Sequence, residues 1–231
     1  MTYPDFQAAL SAVRLNRYLT AVSGDANKAL ALYRLNIQLS GCFYGLISVV
    51  EVCLRNRIDA HYSGQFADPE WLKNQCTGSG FLNNPVFKAG GFKSRKNVDT
   101  AIRNLGVKYT HDRLVASMTP GFWINLFASL QFRLAAQTLH RCFVARPKGT
   151  RPKDLYNQLD DLLRFRNRIA HAEPICFNAA HGKDTTYAQA NYHQLIWGDY
   201  YSCSSMKESG LALIFNAKGS PVEPTLQPIQ A

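Results

Sequence analysis

The chain has 231 residues, 46% of them apolar and 18% charged, with 26 Lys and Arg against 16 Asp and Glu for a formal net charge of +10. That length suits one large domain with a ragged end, and the apolar fraction can bury a sizeable core, which excludes a globally disordered chain. The positive excess favours polyanionic partners such as nucleic acid or an anionic membrane surface.

The start, Met1-Thr-Tyr-Pro-Asp-Phe, has no basic segment followed by an apolar one, so no secretory signal is expected. The longest apolar stretch, Cys42 to Leu54, is interrupted by Ser48 and Glu51 and reads as too short and too polar for a membrane span. A soluble, cytoplasmic protein is expected. Cys42, Cys53, Cys76, Cys142, Cys176 and Cys203 form no CxxC pair, and no Cys/His cluster has metal-ligand spacing. They read as small buried hydrophobes in a reducing compartment. No P-loop, GxSxG, HExxH or dinucleotide fingerprint occurs, so neither a metal nor a cofactor is expected.

Residues 5–22 have mixed helical periodicity, with Phe6, Leu10, Val13 and Tyr18 on one side. Ser23-Gly-Asp-Ala-Asn breaks it, and Asp25 can cap the next helix. Over 26–60 the residues Leu32, Leu35, Leu39, Phe43, Leu46, Val50 and Leu54 recur at three- and four-residue steps, which predicts one long central helix. Residues 63–96 are rich in Gly, Pro and Asn and predict loops with short helices; Lys88 to Lys96 contains Lys93, Arg95 and Lys96 and no acid. Residues 97–117 return to weak helical periodicity. Thr119-Pro120 starts a helix predicted to run to about Phe143. Arg141 to Lys153, with Arg146, Lys148 and Arg151, has no acid and reads as a basic loop, either simply solvated or touching phosphates. A helix over 153–172 is limited by Pro174. A last helix is expected over 184–200, a short strand over 211–215, and a mobile tail after Gly219.

On a helical wheel of 153–171, Leu155, Leu159, Leu162, Ile169 and Ala170 define the apolar face, and Arg166 falls near its middle. A buried guanidinium is costly unless paired. Either Arg166 is a structural arginine clamped by a carboxylate such as Glu51, or its face lines a cleft or interface where it meets a phosphate. His171 lies five residues on, about 140° round the helix. A site using both can be completed by a second copy across a two-fold axis.

Arg166-Asn-Arg-Ile-Ala-His171 matches the RxxxxH pattern, in its RNxxxH form, of the HEPN superfamily. The longer run Arg164 to Ile175 resembles the corresponding segment of Abi-like (abortive infection) proteins. Glu51-Val-Cys-Leu-Arg-Asn-Arg-Ile58, Ser11 to Leu19, Ala29 to Asn36 and Pro120-Gly-Phe-Trp-Ile-Asn-Leu126 are similar to further segments of that family, in the same order. The resemblance covers roughly residues 5–200. One departure is Ala172, where many relatives have a second His. The resemblance implies an all-α, HEPN-like helical bundle over 1–203, with basic loops and a partly disordered extension over 204–231. It also implies a homodimer and an RNA-cleaving role in phage defence or a toxin–antitoxin system.

RNA carries its own nucleophile, the 2′-OH. A metal-independent ribonuclease needs a proton acceptor, a cation for the phosphorane charge and a proton donor for the 5′-oxygen. His171 is therefore assigned as general acid/base and Arg166 as phosphate clamp. Asn167 would orient His171 or bind a non-bridging oxygen. The competing reading of His171 is an ordinary histidine at a helix C-terminus, interacting with the dipole. Glu51, Arg55 and Asn56 are either an i,i+4 surface pair beside a polar residue or a supporting layer that positions Arg166. Arg168 is expected to be exposed and to touch RNA, together with Lys93, Arg95, Lys96, Arg146, Lys148 and Arg151. The expected substrate is single-stranded or loop RNA, tRNA anticodon loops included, since in-line attack needs a flexible backbone. An inhibitory protein or RNA partner is expected, because a free ribonuclease harms its host. The alternative is a non-catalytic HEPN module that binds RNA or a protein partner. A DNA-binding factor is weaker still, with no helix-turn-helix pattern.

Overall fold

The computed structural model describes residues 3–86, 94–143, 146 and 148–177. Among them every regular element is an α- or 3₁₀-helix, as an all-α fold requires. The α-helices are α1 (Tyr3–Leu10), α2 (Ala12–Ala21), α3 (Ala26–Phe66), α4 (Trp71–Asn74), α5 (Ser94–Leu105), α6 (His111–Ser117), α7 (Pro120–Asn125), α8 (Ser129–Leu134) and α9 (Pro152–Ala170). The helix and strand expected over 184–200 and 211–215, and the tail, lie outside the described residues.

Several helix starts follow from the sequence. Asp25 accepts the Lys28 N–H at 3.0 Å. Thr119 accepts the Phe122 N–H at 3.3 Å with Pro120 in the first turn. At the start of α9 the Arg151 N–H donates to Asp154 at 3.0 Å, and the Arg151 guanidinium binds the same carboxylate at 2.9 Å. Each satisfies an N–H that a helix end leaves over.

Other boundaries differ from the sequence pattern. The first helical stretch is broken at Ser11, whose φ is 74°, and Val13 is 88% exposed rather than facing inward. The stretch expected as one helix to Phe143 is three pieces, α7, α8 and a 3₁₀ turn over Leu139–Cys142. Ala136 and Gln137 stand at φ of 64° and 59° between the last two. Left-handed backbone without glycine leaves no signature in periodicity. The long helix runs to Phe66, six residues past its expected end. Its length and composition alone would let it cross a membrane, as is also true of the long core helices of soluble proteins, and 28% of its most apolar 18 residues are buried.

The described residues sort into two compact units. The first holds the described residues of 1–48 and 164–177, the second those of 49–163. In the first, Leu15, Tyr18, Ala29, Tyr33, Cys176 and Phe177 form the core. Tyr18 meets the Tyr33 and Phe177 rings edge-on, each at 5.3 Å, and Phe43 meets Phe165 edge-on at 4.9 Å. In the second, Leu54, Ile58 and Tyr62 of α3 join Trp71, Trp123, Phe127 and Leu155 in a larger core. There Asp59 accepts from the Trp71 indole and lies against the His111 Nε2, each at 2.7 Å. Of the five described cysteines, Cys76, Cys142 and Cys176 are buried.

Candidate active site

The Arg166–His171 motif forms the last turn and the cap of α9. The His171 N–H closes the final helical bond to the Asn167 carbonyl at 2.9 Å. The Ala172 N–H then reaches the Ile169 carbonyl at 3.0 Å, and the Glu173 N–H the Arg168 carbonyl at 2.8 Å. That pair of bonds, with Ala172 left-handed at φ 52°, is a Schellman ending with His171 as the C-cap. Glycine is the usual residue at the left-handed position, so this ending uses a less favourable residue.

The segment after the cap is pinned. Asn36 of α3 is fully buried, and its Oδ1 accepts the Ile175 N–H at 2.7 Å and the Cys176 N–H at 3.2 Å. Arg14 of α2 donates to the Ala172 carbonyl at 3.3 Å. Arg17 lies 4.7 Å over the Phe177 ring. Sequence reasoning gave these three residues no role. Asn36 carried a signal, since a polar residue between Tyr33 and Leu39 falls on the buried side of its helix.

The motif's side chains divide. His171 and Asn167 are exposed, and Arg166 is half-buried and engaged by a neighbouring group. Arg166 lies on the side of α9 that also carries the buried Phe165 and Ile169. Phe165 replaces Ala170 in that face: Ala170 is exposed. Arg168 corrects its expectation. It is partly buried, it donates to the Pro174 carbonyl, and its Nε lies 3.5 Å from Glu173, so it clamps the turn that ends the motif.

Glu51, Arg55 and Asn56 belong to the second unit. Arg55 donates to the Ala116 carbonyl at 3.5 Å, Glu51 is half-buried and Asn56 exposed. The expected basic contacts separate into three kinds. Lys96 and Lys148 are exposed and make no ion pair among the described residues. Arg95 pairs with Asp99 at 3.4 Å and Arg151 with Asp154 at 2.9 Å. Arg146 is half-buried and spends its guanidinium on the carbonyls of His140 and Phe143, both at 3.2 Å. Lys93 lies outside the described residues.

Chemically, the end of α9 presents an exposed imidazole on a fixed cap, one amide on the preceding turn and a half-buried guanidinium. Those are a proton carrier, a neutral hydrogen-bonding group and a phosphate-sized cation. Comparisons of the chain with protein-family models, with curated proteins and with solved structures find no match.

Proposed function

We propose that the chain is a HEPN-type helical protein of the Abi-like kind. Within that class we propose a metal-independent endoribonuclease, working in the cytoplasm as a homodimer, in phage defence or a toxin–antitoxin system. The observation that carries this is where the resembling segments meet. Arg14 and Asn36, from the two segments similar to the family's opening helices, hold the residues after the RNxxxH motif. A chance hexamer would have no reason to be anchored by the other segments of the same pattern.

In this reading His171 moves the proton at the 2′-OH or the 5′-oxygen, and Arg166 neutralises the phosphorane. Asn167 holds a non-bridging oxygen or the imidazole. Cleavage leaves a 2′,3′-cyclic phosphate and a 5′-hydroxyl, and DNA is not cut. The homodimer, which would bring two motifs into one composite site, draws support from α3. Ile37 and Tyr44 are 41% and 52% exposed there, with Gly41 and Gly45 on the same side. Exposed apolar side chains interleaved with glycine suit a closely packed two-fold contact. An inhibitory protein or RNA partner keeps such an enzyme harmless in its host.

A second reading has its own observation. His171 is a helix cap and Arg168 a clamp, so part of the motif serves the fold, as in a non-catalytic module that binds RNA or a protein partner. Cleavage of RNA in EDTA, with Arg166→Ala and His171→Ala beside the native chain, separates the two.

A further inference from the structure

The second unit holds a cleft of about 900 Å³ that the Arg166–His171 motif does not use. Small-molecule sites fall in the range of about 300–1,000 Å³. The cleft is lined by the loop that joins α4 to the 3₁₀ turn Phe81–Asn83, together with Phe66 of α3 and Leu134 of α8. That loop is closed on itself. The Gly80 N–H donates to the Thr77 carbonyl at 2.9 Å, and Asn83 Nδ2 donates to the Gly78 carbonyl at 2.7 Å. A Cβ at Gly80 would stand 2.3 Å from the Gln75 carbonyl oxygen, so only glycine lets the two backbones pass this close.

Two amides of the lining are tied at one end only. Gln75 Oε1 accepts the Phe81 N–H at 3.0 Å, and Asn84 Oδ1 accepts the Val86 N–H at 3.1 Å. Both side chains are half-buried, and neither Gln75 Nε2 nor Asn84 Nδ2 has a partner among the described residues. The tied oxygen decides which end of each amide is left over, so the lining keeps two NH₂ donors in reserve. Its apolar part is aromatic: Phe66 is half-buried and stacks on Phe81, with ring centres 6.1 Å apart and planes at 23°. The chain carries a net charge of +10, yet none of the described lining residues is ionisable. Such a lining has no charge with which to hold a phosphate, carboxylate or ammonium group. It suits an uncharged ring that carries hydrogen-bond acceptors.

We propose that this cleft binds a uracil-type base, with Gln75 and Asn84 donating to its two ring carbonyl oxygens and the aromatic lining taking its flat face. Uracil and thymine each carry two such oxygens, amide side chains read base edges, and aromatic rings stack on bases. A free nucleoside and a nucleic-acid strand both supply that ring. The cleft lies in the second unit and the Arg166–His171 motif in the first, so the inference stands apart from RNA cleavage.

The test is an NMR titration of the Gln75 and Asn84 side-chain NH₂ signals on the ¹⁵N-labelled full chain. The probes are thymidine, a short single-stranded oligothymidylate and deoxyribose; none has a 2′-OH, so cleavage cannot intervene. Thymidine shifts both signals to saturation, and deoxyribose leaves them in place. Gln75→Glu and Asn84→Asp keep the tied oxygen and exchange only the NH₂ for an oxygen. Each weakens thymidine binding about tenfold, read on the other amide, because one hydrogen bond is lost. Thymidine is uncharged, so the added carboxylate exerts no net-charge repulsion on it. Asn104→Asp, the same change at an exposed position of α5, keeps the native affinity. A response to thymidine and to the oligonucleotide assigns the cleft to a base within a strand; a response to thymidine alone assigns it to a free nucleoside. No shift with thymidine, equal shifts with deoxyribose, or native affinity in both cleft variants overturns the proposal.

Discussion

Replacing Asn36 by Leu tests whether that side chain holds the segment after the motif. It is fully buried, and its Oδ1 accepts two backbone N–H groups, from Ile175 at 2.7 Å and Cys176 at 3.2 Å. Leucine is close in size but accepts nothing. Both donors then lose their partner, and an orphaned buried donor costs about 1–3 kcal/mol. The Nδ2 atom already lacks a partner, so removing it returns part of that cost. The net loss should be about 2–4 kcal/mol, or a fall in Tm of about 6–12 °C for about 3 kcal/mol in a chain of this length. Thermal unfolding by circular dichroism gives the total. Amide hydrogen exchange gives the location, with the Ile175 and Cys176 amides losing protection ahead of the α3 amides. A loss under about 0.5 kcal/mol, the size of a neutral surface change, with both amides still protected, would refute the reasoning.

Ala172→Gly should act in the opposite direction, gaining about 0.5–1 kcal/mol by placing the preferred residue at the left-handed position of the α9 ending; a loss in urea unfolding would contradict the Schellman assignment. Burial pushes the thiols of Cys76 and Cys142 up to about 12 and that of Cys176 to about 11. A raised acid pKa favours the folded state only while the unfolded thiol keeps its proton. Stability should therefore fall as pH rises above about 9, and these three thiols should resist an alkylating reagent at pH 8 until the chain unfolds. Rapid native-state labelling of Cys142, read by mass spectrometry, would contradict its burial. Tyr44→Asp, at an exposed position of α3, should convert a dimer to a monomer in sedimentation with little change in Tm; a native chain that sediments as a monomer would remove the two-fold composite site.

Helices were legible wherever apolar spacing or a capping side chain marked them. Asp25, Thr119 and Pro120 act as their residue types suggest, and the stripe from Leu32 to Leu54 does lie in one continuous helix. The breaks were not legible. Ser11, Ala136 and Gln137 are ordinary, exposed residues in left-handed backbone, and nothing in their neighbours' spacing shows it. At the site, the side of α9 that Arg166 occupies could be computed from the wheel. The clamp role of Arg168 could not, since it depends on Pro174 and Glu173 folding back after the helix ends. The meeting of His61 with the 138–142 turn was equally out of reach, because it joins residues 77 positions apart.

The central claim rests on Arg166 and His171, and a mixed RNA pool incubated in EDTA tests it most directly. The native chain should cleave, leaving 2′,3′-cyclic phosphate ends. Arg166→Ala and His171→Ala should each lose at least about a hundredfold in rate, with native circular dichroism and Tm. Cleavage by His171→Ala at the native rate, or RNA binding by the folded native chain with no cleavage at all, would contradict the account.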